Sequence, residues 1–396
     1  MRISKSLAKQ LIVCVLVTIG LNSSAQDWIE IESGTSANIY GIDFTPNGTG
    51  WAVTFYPAQI LKSTDSGLAW EVDTVLPGIF KTITFKDDNF GWVGGFDVDT
   101  EKPILYRTIN GGELWAQRSI GNTYSGQDIS SILIFDDKGY LFGYDGLAKQ
   151  CNNPTGSAPW QDVNFSSFDS PGNFYNADGV NGDTVLACAS DHLYIRQEGY
   201  YNWEQEYFGK VYDVDMVNDT IAFLVTPTRV AKSVNTGRAW SSVSSHQLPT
   251  TAVINIVAVS ELNLYIAGPD GLIYQSFDGG NTWGLDYDAG SDRPITELKL
   301  INGNLWATGH QGLILVKQNV INSTFQHQSF QPVLMYPNPT SSMLHIELPE
   351  QKTNLIRTCI YDLPGRLVYD ETFNPDLDVS FLDLGQYVVV VEAEEG

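Results

Sequence analysis

Four segments of this chain obey one pattern, Ser/Thr-x-Asp/Asn-x-Gly-x-x-Trp. They are Ser63-Asp65-Gly67-Trp70, Thr108-Asn110-Gly112-Trp115, Ser233-Asn235-Gly237-Trp240 and Ser276-Asp278-Gly280-Trp283. The chemistry is that of a tight turn between two strands. A hydroxyl and a short carboxylate or amide bond nearby backbone groups. The glycine takes a positive φ without steric cost, and the tryptophan turns inward between neighbouring sheets.

Degenerate copies end at Trp160 and Trp203, and Trp28 stands alone ahead of them all. The markers Trp28, Trp70, Trp115, Trp160, Trp203, Trp240 and Trp283 recur at spacings of 37 to 45 residues. A period of about 40–50 residues is that of a propeller blade. Trp51, Trp92 and Trp306 fall at matching places between markers. Seven apolar or alternating runs read as inner strands: Ile39–Phe44, Ile79–Phe85, Ile129–Phe135, Phe174–Val180, Val211–Val217, Ile254–Val259 and Ile295–Leu300. The last repeat ends at Lys317 with neither turn motif nor tryptophan. The first piece, Asp27–Glu32, is a fourth strand without its predecessors. The two fragments complement each other, so the ring is expected to close by pairing them, which leaves no free edge. The expectation is an all-β chain: a seven-bladed β-propeller over residues 26–320, then a small antiparallel β-sandwich.

The turn motif resembles the Asp-box, or BNR repeat. The segment Gly268-Pro-Asp-Gly-Leu-Ile-Tyr-Gln-Ser-Phe-Asp-Gly-Gly-Asn-Thr-Trp283 is similar to the propellers of photosystem II assembly factors. That likeness implies a fold and an assembly or binding role, not photosynthesis. Asp-box glycosidases, the sialidases and xyloglucan-type hydrolases, are the other family in view. Sialidases carry a Phe/Tyr-Arg-Ile-Pro motif and a three-arginine clamp. Neither is legible here, because Arg107 and Arg238 lie at the turn motifs, read as facing outward, and the remaining propeller arginines do not cluster.

The two ends of the chain set its destination. Arg2 and Lys5 precede an apolar run from Leu11 to Leu21 and small residues up to Ala25. This reads as a signal peptide over 1–25, too short to span a bilayer. A polar linker is expected over 321–334. Beyond it, Tyr336-Pro-Asn-Pro-Thr340, Tyr361-Asp-Leu-Pro-Gly-Arg-Leu-Val368 and Leu382-Asp-Leu-Gly-Gln-Tyr387 alternate as strands and turns. In that order they resemble the type A C-terminal sorting domain of the type IX secretion system of Bacteroidetes, over 335–396. The resemblance implies passage through the periplasm to the outer cell surface or medium, with the secretion machinery as partner.

A net charge of −24 from 46 acidic and 22 basic residues repels phosphate backbones and anionic lipid. Nucleic-acid binding is not expected, nor is a transmembrane segment. The five histidines show no ligand spacing, and Asp97–Glu101 is a loop whose oxygens offer Ca²⁺ at most a weak site. No other cofactor is implied. Cys151, Cys188 and Cys359 form no metal or disulfide framework; a Cys151–Cys188 bridge and three small buried hydrophobes are both open readings. No catalytic constellation stands out. The candidate site is the channel mouth. Aligning the inner strands places Tyr40, Lys81, Ser130, Tyr175, Tyr212, Asn255 and Thr296 at one level, with Thr82, Asn176, Asp213 and Glu297 next to them. Such a ring suits stacking of a sugar or holding of a peptide; a water-lined channel mouth is the plainer reading. The function expected from the sequence is that of a non-enzymatic binding propeller, with a glycoside hydrolase as the alternative.

Overall fold

In a computed structural model of the chain the structure describes residues 12–15, 28–165, 171–197, 203–243, 253–320, 334–336, 342–347, 354–362, 367–372, 374–382 and 386–394. The contacts divide it into two units, Trp28–Asn322 and Met1–Asp27 with Ser323–Gly396.

The larger unit is a propeller of seven four-stranded antiparallel sheets. Its inner strands are Ile39–Phe44, Ile79–Phe85, Ser131–Ile134, Phe174–Asn181, Asp213–Met216, Asn255–Ala258 and Ile295–Ile301, one for each run expected from the sequence. Each sheet is a meander in sequence order, except the last. There Ile29–Ile31 pairs antiparallel with Ile314–Lys317, with Ile29 opposite Val316 and Ile31 opposite Ile314. Blade 7 is therefore built from both ends of the propeller, as expected.

The core sits between blades, not inside them. Seven apolar clusters occupy the seven junctions, from blades 1 and 2 (Trp51, Ile60, Phe80, Trp115) round to blades 7 and 1 (Ile42, Trp70, Trp306, Ile314). Every sheet thus buries both faces. This is why second strands such as Gly50–Thr54 and Ala222–Val225 are buried at every position and do not alternate. Fourth strands face solvent, and Glu71–Val75 is exposed along nearly its whole length.

The four turn motifs share one geometry. Ser63 Oγ accepts the Gly67 amide at 2.9 Å and donates to Asp65 Oδ1 at 2.8 Å, while that oxygen accepts the Ala69 amide at 3.0 Å. The same set recurs at Thr108/Asn110, Ser233/Asn235 and Ser276/Asp278. The turn needs two successive residues at positive φ: Ser66 and Gly67 stand at 62° and 88°, Gly111 and Gly112 at 64° and 85°. A β-carbon on Gly67 would lie 2.3 Å from Trp306, and one on Gly112 would lie 2.1 Å from Trp51. The second-strand tryptophans of one blade therefore seat on the turn glycine of the next. Among the marker tryptophans, Trp70 and Trp240 also donate their indole N–H to the Gly67 and Gly237 carbonyls.

One open reading closes and one expectation changes. Cys151 and Cys188 are free thiols, buried in different junctions, blades 2–3 and blades 4–5. Arg107 and Arg238 do not simply face outward. Arg107 is half-buried and donates to three carbonyls of blade 3, and Arg238 pairs with Glu204 and Glu206 of blade 4. Arg107, on a third strand, reaches the following blade and Arg238, in a turn, the preceding one, because the sheets lie face to face.

The smaller unit holds two sheets. Leu334–Tyr336, Met343–Glu347 and Asp376–Asp378 form one, and Ile12–Val15, Gln386–Glu394, Asn354–Asp362 and Leu367–Glu371 form the other. Leu344, Ile346, Ile360, Leu377, Val379 and Val389 make their shared apolar cluster. Within the segment expected as a signal peptide, Ile12–Val15 runs parallel to Gln386–Val389; the expected cleavage point after Ala25 and most of the expected linker lie outside the described residues. No helix among the described residues is long and apolar enough to cross a membrane.

Candidate binding site at the channel mouth

Inner strands begin at one end of the channel, so equivalent early positions form a ring there. Ladder register fixes the levels. Tyr212 and Ile254 donate their amides to Val225 and Ala267, and Asp213 and Asn255 stand opposite those same residues. Asn255 is therefore level with Asp213, not with Tyr212, one step from the expected alignment. An apolar run leaves the strand start free to slide by a residue in a sequence reading, whereas the ladder does not.

The outermost level is not uniform. Ser130 Oγ donates to the Phe174 carbonyl, and Thr296 Oγ1 to the Ile39 carbonyl; these small residues tie blade to blade. Blades 1, 2, 4 and 5 supply an arc of large side chains at this level, and Tyr144 of blade 3 bridges those of blades 2 and 4. Tyr40 packs on Phe55 at 4.9 Å and near His310 at 6.3 Å. Lys81 pairs with Asp128 and sits 4.1 Å from the Tyr144 ring centre. Tyr144 meets Tyr175 edge-on at 6.2 Å, and Tyr175 meets Tyr212 at 5.8 Å. The Lys210 ammonium lies 4.5 Å from the Tyr212 ring centre and 5.2 Å from that of Tyr175.

Electrostatics follow the packing. Burial raises the Tyr40 and Tyr144 phenols above their ordinary values, so both remain neutral donors. Burial works against the Lys210 charge, but hydrogen bonds to the Tyr212 and Tyr175 phenols outweigh it and raise the ammonium. Among the described residues no carboxylate pairs with Lys210. A cation on aromatic faces without a counter-ion is unusual in so acidic a chain.

Below the arc the channel wall carries carboxylates, each engaged by the next blade. Asp213 Oδ2 accepts the Ile256 amide at 2.9 Å, and Asn176 donates to Asp213 Oδ1 at 2.7 Å. Glu297 accepts the Ile42 amide at 2.9 Å. One level deeper, Asp43, Asp178 and Asp215 accept the amides of Phe85, Met216 and Ala258, and Lys299 approaches Asp43 at 3.4 Å. Burial pushes Asp213 and Glu297 up to about 7. Asp178 and Asp215 also rise, through burial first; for Asp215 the Asp178 charge adds to it.

Thus the structure brings Tyr40, Lys81, Tyr175 and Tyr212 together at the mouth, and sets Asp213, Asn255 and Glu297 in the wall beneath. Sequence alignment of inner strands misses Tyr144, Phe55, Lys210 and His310. Phe55 directly follows the second strand of blade 1 and Tyr144 lies two residues beyond that of blade 3, so a reading of the loops after second strands would find both. At Asp97–Glu101, the Asp97 carboxylate accepts the amide of Asp99 within its own loop, and Glu101 accepts from Ser125. Among the described residues no group of three or more acidic, histidine or cysteine side chains is placed to hold a metal.

Residues 334–396 match the family of secretion system C-terminal sorting domains. No curated protein matches the sequence. The propeller is similar in structure to YCF48 bound to a D1 peptide, with 19% identity, a TM-score of 0.58, and coverage of 76% of this chain and 99% of that one. It is similar to virginiamycin B lyase from Staphylococcus aureus, at 11% identity, a TM-score of 0.60, and coverage of 73% and 98%. A GH74 xyloglucanase from Xanthomonas campestris shares 12% identity with a TM-score of 0.57, covering 85% of this chain and 57% of that one. At these identities the likeness is one of fold. The chain is thus a seven-bladed β-propeller carrying a secretion system C-terminal sorting domain, which points to export by the type IX system and to a secreted or cell-surface location.

Proposed function

We propose that the protein is a non-enzymatic binding propeller, exported through the periplasm, that holds a peptide of a partner protein at its channel mouth. The observation that carries this reading is the arc Tyr40–Lys81–Tyr144–Tyr175–Lys210–Tyr212. It offers neutral phenol donors, aromatic faces and one cation that pairs with no carboxylate among the described residues, which together suit a chain bearing apolar groups and a carboxylate. The peptide held by the structurally similar YCF48 propeller supports a peptide over a glycan. Binding is favoured over glycoside hydrolysis because Asp213 and Glu297, the raised carboxylates nearest the mouth, are each engaged by a backbone amide of the next blade. That is the work of a blade junction.

An array of peptides with free and amidated C-termini and a glycan array, both probed with the full chain, test this. Peptide hits that lose affinity on Lys210→Gln or Tyr175→Ala support it. Hits confined to glycans, turnover of a glycoside, or peptide binding indifferent to both substitutions would overturn it.

A further inference from the structure

A cavity of about 420 Å³ lies at the junction of blades 2 and 3, within the size range of small-molecule sites. It is not part of the mouth. Mouth residues stand at inner-strand starts, and successive strands of a meander alternate direction. The turns from third to fourth strands therefore lie at the opposite end, and that of blade 3 walls this cavity together with the outer strand of blade 2 and the residues after it.

Its lining is chemically selective. Arg107, Gln117, Arg118 and Ser119 enter from blade 2, and Ser157 and Pro159 from blade 3, over the buried Trp92 and Trp160. Among the described residues no acidic side chain lines it, in a chain with 46 acidic residues. Neither arginine has a carboxylate partner among the described residues, whereas Arg196, Arg238 and Arg293 all do. Arg107 is held in place: one terminal nitrogen donates to the carbonyls of Pro154, Thr155 and Gly156 at 3.1, 3.3 and 2.7 Å. Burial lowers its affinity for the proton, and the Arg118 charge lowers it further. Two like charges are thus kept close, and among the described residues no carboxylate pairs with either. An incoming anion relieves that repulsion, and a fixed guanidinium needs little reordering to meet an oxyanion.

We propose that this cavity binds an acidic sugar residue. Arg118 and the remaining N–H groups of Arg107 take its oxyanion, a carboxylate or a sulfate ester. Gln117, Ser119 and Ser157 meet its hydroxyls, and Pro159 covers its apolar face. The mix of hydroxyl and amide groups around the two cations is what favours a sugar over an acidic peptide. Because the site shares no lining residue with the mouth, both can be occupied at once.

Calorimetric titration of the full chain with glucuronate, glucose 6-sulfate, glucose and an aspartyl dipeptide tests the proposal. One or both acidic sugars should bind at least about tenfold more tightly than glucose, the loss expected for one charge-assisted hydrogen bond, and the two arms tell carboxylate from sulfate. Added salt should weaken them. Arg118→Gln, an exposed position, should remove the preference for the acid. Ser157→Trp, which fills the cavity from its exposed rim, should abolish binding. Lys210→Gln, at the mouth, should leave the affinity for the acidic sugars unchanged. Equal affinity for glucose and the acidic sugars, tighter binding of the dipeptide that is lost on Arg118→Gln, no binding of either acid, or indifference to both cavity variants would overturn it.

Discussion

Replacing Gly112 by alanine sets a β-carbon 2.1 Å from the Trp51 ring at a φ of 85°. The ring is fully buried in the junction of blades 1 and 2 and cannot retreat. Overpacking and left-handed strain together are expected to cost about 2–4 kcal/mol, readable as a lowered denaturant midpoint without a changed slope. Glu297 illustrates a different residue-scale effect. Its carboxyl is raised from 4.5 to about 7 by burial, so between those values the folded chain holds a proton that the unfolded chain has released. Its contribution is complete below the unfolded value and is lost as pH rises through 7. Asp213, raised from 3.8 to about 7, acts in the same direction. Stability should therefore fall from pH 5 to pH 8. Glu297→Gln keeps an oxygen for the Ile42 amide and removes the titration. It should flatten the slope by up to one proton, about 1.4 kcal/mol per pH unit. Denaturant unfolding at several pH values checks this, and an unchanged slope would show that Glu297 is not the group concerned.

At the scale of the element, the turn motif divides its work between a buried and an exposed half. Ser233 Oγ satisfies the buried amide of Gly237 at 2.9 Å, whereas Asp278 Oδ1 serves the exposed amide of Thr282. Ser233→Ala leaves a buried donor without a partner and should cost about 1–3 kcal/mol. Asp278→Ala lets water replace the carboxylate and should cost about 1 kcal/mol or less. Thermal unfolding of the two variants side by side tests the ordering. These turns were legible because their hydrogen bonds are local: the side chains and the amides they serve lie within four residues, so the pattern survives in the sequence. Inner strands were legible as apolar runs for the same reason, and two of the seven have the expected bounds. Their level in the channel was not, since it depends on ladder partners on the next strand, and Asn255 slipped by one. The mouth was half legible. Tyr40, Tyr175 and Tyr212 follow from strand periodicity, but Tyr144 and Lys210 come from connections that only the closed ring brings beside them. The cavity at blades 2 and 3 was hidden altogether, because Arg107 meets its carbonyl partners 47 to 49 residues away.

For the molecule as a whole, closure decides stability, because every blade buries both faces and the ring has no free edge to spare. The closing strand is only three residues, Ile29–Ile31, opposite Ile314–Val316. Ahead of it Trp28 is 8% exposed within the cluster of blades 6 and 7. Its indole donates to Asp286 at 2.7 Å, and Lys317 bonds the same carboxylate. In the middle of that strand Glu30 is clamped by Arg293 from the connection between blades 6 and 7, whose guanidinium holds the carboxyl below its ordinary value. Removing residues 28–31 therefore opens the ladder of Ile314–Lys317, uncovers Tyr265 and Leu315, and leaves Lys317 and Asp286 without their ring partner. Truncation of a buried tryptophan alone typically costs about 3–5 kcal/mol, and the exposed strand edge adds to that. The deletion should destabilise the whole propeller and fray blade 7 first. Amide hydrogen exchange checks it: protection should fall most in Ile295–Ile301 and Ile314–Lys317, and least in Thr184–Ala189 across the ring. Trp28→Ala should show the same gradient more weakly, since it keeps the backbone pairing and loses only the buried ring. A uniform loss of protection in both variants would mean that the ring opens cooperatively, and unchanged protection at 314–317 would refute closure by this strand.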